Sequence, residues 1–579
     1  MSFLNPVWTK PASITKKTLD PLGLDRISDR LTSSMLTGIT ALTMRARYYS
    51  FYVWTIKNVN ETEKINRLSD FENAFFDRER AYAMACIAHN EKSSNPNEDH
   101  SNIQGLREAH GKWQESGTTL RLHGFRHLGN RLGGYGYYYQ ASVGNLGLTQ
   151  QEHIKDVLTP LGVRLAEAFE KKVSKTKYFE KFIGKNLIPK SVFHDYGSKA
   201  CLCLLHGEDA SDRDVLREIL LGTNEEAKGV AHHKNRQDTL VLVLHVIDKL
   251  GKLLKTADEQ TFLNIAYFRQ FLLKEKAIDY SCPSKLNQAL DRWKLFRGHD
   301  YFSFTCESLF HIFLESLDIN RNKGLSFTQF TSLFDTPEFV QEIASVLRTQ
   351  IHAKSPKKII LNEILANIVK IDTGSFSELN LETSYEFDQA CNLDSTINEQ
   401  ILVDKLIEEF ESEELNLEKS VILASLVLLL IFARFYWRSK PAEASWKWLV
   451  SQSIDRSKNK SDLGVSIFVY ELERRLSNPE YSLYDFVCWI YEDYIITQAI
   501  TVYNEKVGAS LYNRPISWFH SDGKVYRIDR GYDPRFRNSR FYSCISILND
   551  LGLCTLNEDY YVLTNDGKTM LHRLASGEE

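Results

Sequence analysis

The stretch that most constrains the fold lies near the C-terminal end, over residues 538–567. Its first half has apolar residues at intervals of three and four, which predicts a helix with one buried face. The residues on that face are Phe541, Ile545, Leu548 and Leu551. Gly552 is expected to end the helix. Residues 553–556 and 560–563 predict two short strands, and the Asn-Asp-Gly turn at 565–567 leads into a last helix.

A helix, a hairpin and a second helix of these lengths resemble a winged helix. The resemblance implies a C-terminal winged-helix domain that begins near residue 510. Winged helices bind nucleic acid or dock onto proteins, so both roles stay open for this segment.

The length of the chain predicts several domains. At 579 residues the chain is too long for a single hydrophobic core. Apolar residues at helical spacing dominate the remainder, so we predict a mainly α, multi-domain protein. An acidic, polar stretch over 372–399 predicts a linker or mobile loop. The predicted units are an N-terminal helical domain with a Gly/Tyr-rich loop (1–190), a helical unit (191–281), a helical unit that ends in the acidic linker (282–400), a helical bundle (401–509) and the winged-helix domain (510–579).

Composition limits the compartment and the partners. The formal charge of -4 excludes a wholly basic protein that coats nucleic acid. Nine cysteines without paired spacings favour reduced thiols in the cytoplasm, and we find no secretion signal at the N-terminus. The most apolar stretch, Val421 to Trp437, contains Ser425 and Arg434 and is shorter than the ~20 residues that a membrane span needs. It therefore predicts a buried bundle helix and no membrane partner.

A local basic segment precedes and enters the predicted winged helix. Its basic residues lie within 17 positions and are interleaved with tyrosine and phenylalanine. They are Lys524, Arg527, Arg530, Arg535, Arg537 and Arg540. In a net-acidic chain such a segment is the predicted double-stranded DNA interface, and we expect Arg535, Arg537 and Arg540 to be exposed. The alternative is protein docking, since Asp529, Asp533 and Asp550 lie close enough in sequence to pair with these arginines.

Arg45 and Arg47 offer a second candidate nucleic-acid contact. They precede the aromatic run from Tyr48 to Trp54, and on one helix they point to different sides. One interpretation is a fully buried aromatic helix whose arginines cap it or pair locally. The other is that the arginines face phosphate with tyrosines beside them.

The same region carries a family resemblance. Leucine and a small residue, then Gly38-Ile39-Thr40, then Arg45-x-Arg47-Tyr-Tyr and an aromatic run resemble poorly characterised bacterial proteins encoded among anti-phage defence genes. The usual proline of that family before the glycine is Thr37 here. A weaker similarity lies in the segment 535–540 and the winged segment. The resemblance implies a setting in defence and leaves the mechanism open.

One cluster in the sequence invites comparison with a zinc site, which needs about four converging nitrogen or sulfur ligands. Its members are His194, Cys201, Cys203, His206, His232, His233 and His245. If residues 200–205 are helical, Cys201 and Cys203 lie on opposing faces, and the leucines around them favour core packing. We therefore predict buried free cysteines and no metal.

No catalytic constellation is legible. The nearest approach to a metal nuclease is Asp462 followed by Glu471 and Glu473, but Arg474 follows where a lysine would be wanted. His311 and Glu315 share a helix face at a spacing suited to acid-base chemistry, as chance alone would often produce, and His299 and Asp300 lie nearby. We identify no catalytic residue and no cofactor.

These observations favour a non-catalytic DNA-associated or scaffolding subunit of a bacterial multi-protein complex, set in anti-phage defence, whose partner subunits supply ATPase or nuclease activity. Two alternatives stay open. The chain could be a divergent metal-dependent nuclease with dispersed carboxylates, or an adaptor that docks onto proteins through its winged helix.

Overall fold

A computed structural model describes residues 20–63, 67–93, 100–123, 132–152, 155–206, 210–369, 381–439, 444–453, 462–509 and 516–576. Helices account for 66% of the structure and strands for 8%, which confirms the predicted mainly α fold class. The N-terminal part of the helical series comprises α1 Asp25–Met35, α2 Arg47–Thr62, α3 Leu68–Lys92, α4 Leu106–Glu115, α5 Gln140–Asn145, α6 Pro160–Val173, α7 Lys190–Ala200, α8 Ser211–Leu220, α9 Glu225–Lys228, α10 His233–Gly251, α11 Glu259–Phe268 and α12 Asn287–Ile319.

The remaining α-helices are α13 Phe327–Ser332, α14 Pro337–Leu347, α15 Leu361–Val369, α16 Leu381–Ala390, α17 Glu399–Glu411, α18 Leu417–Ser439, α19 Ala444–Ser453, α20 Val465–Leu476, α21 Leu483–Trp489, α22 Thr497–Ala509, α23 Phe541–Asp550 and α24 Asn565–Ser576. Short 3-10 helices cover Leu202–His206, Ser284–Leu286 and Pro356–Lys358, and π-helical turns cover Tyr135–Tyr139, Tyr178–Phe182 and Ile490–Ile496.

The strands are short and form antiparallel pairs. They are β1 Thr119–Arg121, β2 Thr149–Glu152, β3 Lys155–Leu158, β4 Leu187–Pro189, β5 Gln270–Leu273, β6 Lys276–Asp279, β7 Leu325–Ser326, β8 Phe519–Asp522, β9 Val525–Ile528, β10 Cys554–Asn557 and β11 Tyr560–Leu563. The two-stranded sheets are β1-β4, β2-β3, β5-β6 and β10-β11, and β7-β9-β8 form a three-stranded sheet.

The chain forms two compact units, and each is assembled from separate stretches of sequence. The first unit comprises Met1–Leu31, Leu263–Tyr280 and Asp291–Arg537. The second comprises Thr32–Phe262, Ser281–Leu290 and Asn538–Glu579. The five predicted domains are contiguous segments, and their boundaries stay predictions.

The core of the second unit is built around α2. The residues from Tyr48 to Trp54 are fully buried. This agrees with the interpretation of the run as a buried aromatic helix. The ring of Phe51 stacks on Tyr82 of α3 with centroids 3.9 Å apart, and Tyr52 packs against Tyr139 of the Gly/Tyr-rich segment. An aromatic helix surrounded on all sides leaves its arginines little access to solvent.

The C-terminal elements of the second unit match the sequence pattern. Helix α23 buries the predicted apolar face, including Leu548, and Gly552 follows it with a φ of +67° that favours glycine. Strands β10 and β11 pair with Asn557 opposite Tyr560, and α24 follows. Helix α10 packs against α23, β11 and α24. The predicted helix, hairpin and helix are thus confirmed, whereas the winged-helix domain as a whole stays a prediction.

Helix α18 of the first unit is long, apolar and buried. Leu417–Tyr436 of α18 is long and apolar enough to cross a membrane, but 94% of its most apolar 18-residue window is buried inside the protein. Helices α14, α16, α17 and α20 pack against α18. The predicted buried bundle helix is therefore confirmed. Since core helices of water-soluble proteins have the same composition, this helix is weak evidence for a membrane.

The predicted acidic linker over 372–399 differs from the structure. Residues 372–380 lie outside the described residues. Helix α16 occupies much of the remainder, with Phe387 buried, and Glu399 at the start of α17 is also buried. The acidic composition is misleading there because Asp388 of α16 and Glu399 of α17 both pair with Arg434, at 2.8 and 2.7 Å, a partner that local composition does not reveal.

Candidate metal centre and basic segment

Two helices of the second unit bring cysteine and histidine side chains together. His89 lies in the last turn of α3, and Cys201 follows directly on the end of α7. These helices can pack closely because residue 197 is glycine. A Cβ atom at Gly197 would lie only 2.1 Å from the carbonyl oxygen of Ala85. Cys203 belongs to the 3-10 helix after α7. The packing of α3 on α7 therefore sets one histidine beside two cysteines.

His100 completes a group of four possible ligands. The ligand atoms of His89, His100, Cys201 and Cys203 all lie within 4.8 Å of one another. The Sγ atom of Cys201 is 3.7 Å from Nδ1 of His100, and the Sγ atom of Cys203 is 3.4 Å from Nδ1 of His89. Both cysteines are buried and both histidines are half-buried. We call these four residues the Cys/His cluster.

The Cys/His cluster differs from the prediction for Cys201 and Cys203. That prediction placed the two thiols on opposing faces of one helix, and this premise is wrong because the α-helix ends at Ala200. Cys201 has an extended backbone, with φ -53° and ψ 144°. The change of backbone direction after Ala200 lets both sulfur atoms lie close to the histidines of the cluster.

Buried hydrogen bonds hold the turn between α7 and the 3-10 helix. Arg47 Nη1 donates to the carbonyl oxygen of Cys201 at 2.7 Å, and the Tyr82 hydroxyl donates to that of Ala200 at 2.9 Å. Arg47 is itself fixed by Asp212, with Nε 3.2 Å from Oδ2. These donors orient the backbone that carries the two thiols.

The thiol of Cys201 and that of its neighbour Cys86 differ in acidity. Burial raises the pKa of Cys86, one helical turn before His89, and its hydrogen bond with Cys201 adds to the rise. Burial also opposes ionisation of Cys201, but hydrogen bonds with Cys203, Cys86, His100 and His89 outweigh it and lower the pKa of Cys201. The neighbours of Cys201 therefore favour a thiolate, the form that binds metals.

The other histidines predicted with this group lie elsewhere. His194 Nδ1 contacts the carbonyl oxygen of Ala88 at 2.9 Å, and His233 Nδ1 contacts that of Val230 at 3.1 Å. His206, His232 and His245 are not among the four converging residues. His89 and His100 were missed because they lie more than 100 positions before the cysteines. The available signal was Cys86-x-x-His89, a spacing that shares one face of a helix.

The N-terminal arginines are buried and paired. Arg45 Nε lies 3.2 and 3.1 Å from the two carboxylate oxygens of Asp550, and Arg47 pairs with Asp212. Both guanidinium groups are fully buried. They belong to the core, as the first interpretation predicts, although their partners are distant in sequence rather than local. In this conformation neither arginine is accessible to a phosphate.

Two arginines of the basic segment are also buried, so the expectation that they are exposed is wrong. Arg537 in the first unit pairs with Glu307, with Nη2 2.6 Å from Oε1. Arg540 in the second unit donates to the carbonyl oxygen of Ile39 at 2.9 Å and to the Ser33 hydroxyl at 3.2 Å. Partners contributed by distant segments enclose both guanidinium groups. Arg535 differs, since its side chain is 49% exposed beside Asp25.

The remaining basic residues lie on or after the β8-β9 hairpin of the first unit. Lys524 and Arg530 are exposed, and Arg527 is partly exposed. Because β7 pairs with β9, the preceding turn is adjacent, and Arg527 Nη1 lies 3.3 Å from the carbonyl oxygen of Asn322. That turn adds two exposed cations which the sequence analysis did not include. We call Arg321, Lys323, Lys524, Arg527 and Arg530 the hairpin patch.

The histidines considered for acid-base chemistry have other contacts. His311 Nδ1 lies 2.6 Å from the carbonyl oxygen of Tyr532. Asp300 pairs with Arg297 at 2.8 Å. His299 is fully buried, with Nε2 3.4 Å from the carbonyl oxygen of Leu24 and 3.3 Å from the Ser303 hydroxyl. These contacts are those of core polar groups.

Burial of His299 predicts loss of stability in acid. Burial, aided by the charge of Arg537, lowers its pKa from 6.5 to about 3. Between these values only the unfolded chain binds the proton, so the stabilising contribution is complete above pH 6.5 and is lost as the pH falls. From pH 7 to pH 4 we expect the parent to lose about 3 kcal/mol more than His299→Gln. Urea unfolding at both pH values measures this difference, and equal losses would contradict it.

The carboxylates of the divergent-nuclease alternative do not converge. Asp462 pairs with Arg30 at 2.6 Å, and Glu471 accepts a hydrogen bond from the Tyr494 hydroxyl at 2.6 Å. Over the described ranges, Glu473 joins neither of them in a group of ligand atoms within 4.8 Å. No residue arrangement on these elements therefore adds support for a nuclease.

Comparisons of the chain with protein-family models, with curated proteins and with solved structures found no match.

Proposed function

We propose that this chain is a non-catalytic DNA-associated or scaffolding subunit of a bacterial multi-protein complex. The observation that carries the proposal is the hairpin patch, which collects exposed cations from two segments more than 200 positions apart. Exposed lysine and arginine side chains can replace the counterions of a DNA backbone. The hairpin patch is also confined to one small region. A chain with a formal charge of -4 can contact DNA only through such a local basic surface.

The finer features of the proposal rest on the C-terminal elements and on the sequence. The helix, hairpin and helix from Phe541 to Ser576 support a winged-helix domain at the C-terminal end. The N-terminal resemblance supports a setting in anti-phage defence, and the nine cysteines without paired spacings support a cytoplasmic location. Partner subunits with ATPase or nuclease activity would then supply the chemistry, and incubation of the pure protein with plasmid and Mg²⁺ or Mn²⁺ tests this division. Cleavage that EDTA abolishes would favour the divergent nuclease instead.

Removing positive charges from the hairpin patch tests whether it binds DNA. We expect Lys524→Ala/Arg527→Ala/Arg530→Ala to weaken binding of a double-stranded oligonucleotide. We also expect the slope of log affinity against log salt to fall by about 2.7, because each lost phosphate contact retains about 0.9 of a counterion. Fluorescence anisotropy over a series of KCl concentrations measures both quantities.

A matched control removes three exposed cations from helices α17, α19 and α20, namely Lys405→Ala/Lys447→Ala/Arg474→Ala. This control variant has the same net charge as the hairpin variant. If the hairpin patch is the specific DNA-binding site, the control variant should bind DNA like the parent. Equal weakening in the two variants would indicate a non-specific charge effect. A hairpin variant that binds like the parent would place the footprint elsewhere.

Protein docking is the second candidate function, and a specific observation favours it. Carboxylates accompany the cations of the hairpin patch: Asp318 lies 2.6 Å from Arg321, and Asp522 lies 3.8 Å from Arg527. A surface of mixed charge suits a protein partner as well as a phosphate backbone. Absence of DNA binding by the parent at low salt, with retention of partner subunits in a pull-down, would establish this alternative.

A further inference from the structure

The Cys/His cluster has the composition of a zinc site. Two sulfur and two nitrogen donors match a Cys2His2 ligand set, and soft thiolate with imidazole suits Zn²⁺ while Mg²⁺ and Ca²⁺ prefer oxygen. Buried free cysteines commonly pack against apolar side chains. Here Cys201 and Cys203 instead face His100 and His89. We propose that His89, His100, Cys201 and Cys203 bind one zinc ion.

The distances fit a tetrahedron. With Zn–S bonds of about 2.3 Å and Zn–N bonds of about 2.05 Å, tetrahedral angles put sulfur and nitrogen about 3.6 Å apart. The observed separations are 3.7 Å between Cys201 Sγ and His100 Nδ1 and 3.4 Å between Cys203 Sγ and His89 Nδ1. Two sulfur ligands would be about 3.8 Å apart, within the observed limit of 4.8 Å. An ion can therefore enter with small side-chain movements.

The ligand count assigns the ion a structural role. Four protein ligands fill a tetrahedral zinc and leave no position for water or substrate. The ion would tie the last turn of α3, through His89, to the turn after α7, through Cys201 and Cys203. The hairpin patch belongs to the other unit, so this inference is independent of DNA binding.

The surrounding residues are already ordered for binding. Arg47 and Tyr82 hold the backbone carbonyl groups of Cys201 and Ala200 by hydrogen bonds of 2.7 and 2.9 Å. Hydrogen bonds from surrounding groups help to orient the ligands of a metal site. Cys86 supplies a third buried thiol that hydrogen-bonds Cys201, which suits a residue that supports a ligand.

The first measurement is the zinc content of the full chain purified under reducing conditions without chelator. We expect about one zinc per chain by inductively coupled plasma mass spectrometry, falling to near zero in Cys203→Ala. The matched control is Cys544→Ala, which removes another buried cysteine of the same unit outside the cluster. It should keep the zinc of the parent. Loss of zinc in both variants, or in neither, would overturn the site.

A second pair of measurements keeps the inference testable if Cys203→Ala does not fold. His100→Ala changes a half-buried residue and should also lose the zinc. Parent protein stripped with chelator and reloaded with Co²⁺ should show the visible absorption of tetrahedral cobalt bound by thiolate, and one equivalent of Zn²⁺ should remove that absorption. Failure of the reduced parent to take up either metal, or full zinc content in His100→Ala, would overturn the proposal. So would a Cys201–Cys203 disulfide in the purified protein.

Discussion

Replacing Arg537 by alanine is expected to destabilise the protein by about 3 to 5 kcal/mol, because it leaves a buried carboxylate without its counter-charge. Arg537 Nη2 lies 2.6 Å from Glu307 Oε1, and the two side chains are 6% and 0% exposed. Burial opposes the charge of Arg537, but Glu307 outweighs it and raises the pKa of the guanidinium. The free energy of unfolding from urea titration at pH 7 measures the effect.

Arg535→Ala is the matched control for this prediction. The Arg535 side chain lies two positions away, is 49% exposed and pairs with Asp25 at 3.1 Å, so its loss should cost less than about 1 kcal/mol. The double variant Arg537→Met/Glu307→Leu removes both charges and should recover part of the loss. Equal effects of Arg537→Ala and Arg535→Ala would mean that water reaches Glu307 in solution.

Arg535 and Arg537 also show which features of the structure the sequence could predict and which it could not. The elements from Phe541 to Leu563 were predictable because helical spacing, a terminating glycine and a short hairpin are local signals. The same holds for the apolar helix α18. Exposure of the basic segment was not predictable, since the partners that bury Arg537 and Arg540 lie 230 and 501 positions away.

The N-terminal arginines illustrate the same limit. Asp550 lies 505 positions from Arg45, and Asp212 lies 165 positions from Arg47. The aromatic run after them predicts burial of the helix, which is confirmed, but burial of a guanidinium also requires acceptors that meet it, and here distant carboxylates provide them. Sequence spacing identified the buried helix and could not identify the carboxylate.

The Cys/His cluster was missed for a related reason. A zinc motif is legible when its ligands repeat at short, regular spacings. Here His89 meets the cysteines through the packing of α3 on α7, and His100 lies outside both helices. The α-helix that would have placed Cys201 and Cys203 on opposing faces ends at Ala200, before either cysteine. Identifying this group requires the position of a helix end, the feature that sequence patterns fix least well.

Arg434 tests whether the stability of the first unit depends more on the hydropathy of a buried side chain or on the pairing of buried charges. It lies in the long apolar helix α18 and is fully buried. Its Nε and Nη2 lie 2.7 Å from the two oxygens of Glu399, and its Nη1 lies 2.8 Å from Asp388. The guanidinium also lies 4.8 Å from the ring centre of Tyr267. Arg434 thus pairs with two carboxylates that lie 35 and 46 positions before it in the sequence.

Arg434→Leu should therefore destabilise the protein by about 3 to 5 kcal/mol, even though leucine makes the helix more apolar. Hydropathy alone predicts the opposite sign, since burying a leucine is favourable. Urea unfolding measures the change, with Arg475→Leu as control because Arg475 pairs with Asp493 at a partly exposed site and should cost under about 1 kcal/mol. Arg434→Leu/Glu399→Leu should recover part of the loss. A stable single variant would mean that Glu399 tolerates burial without the counter-charge of Arg434.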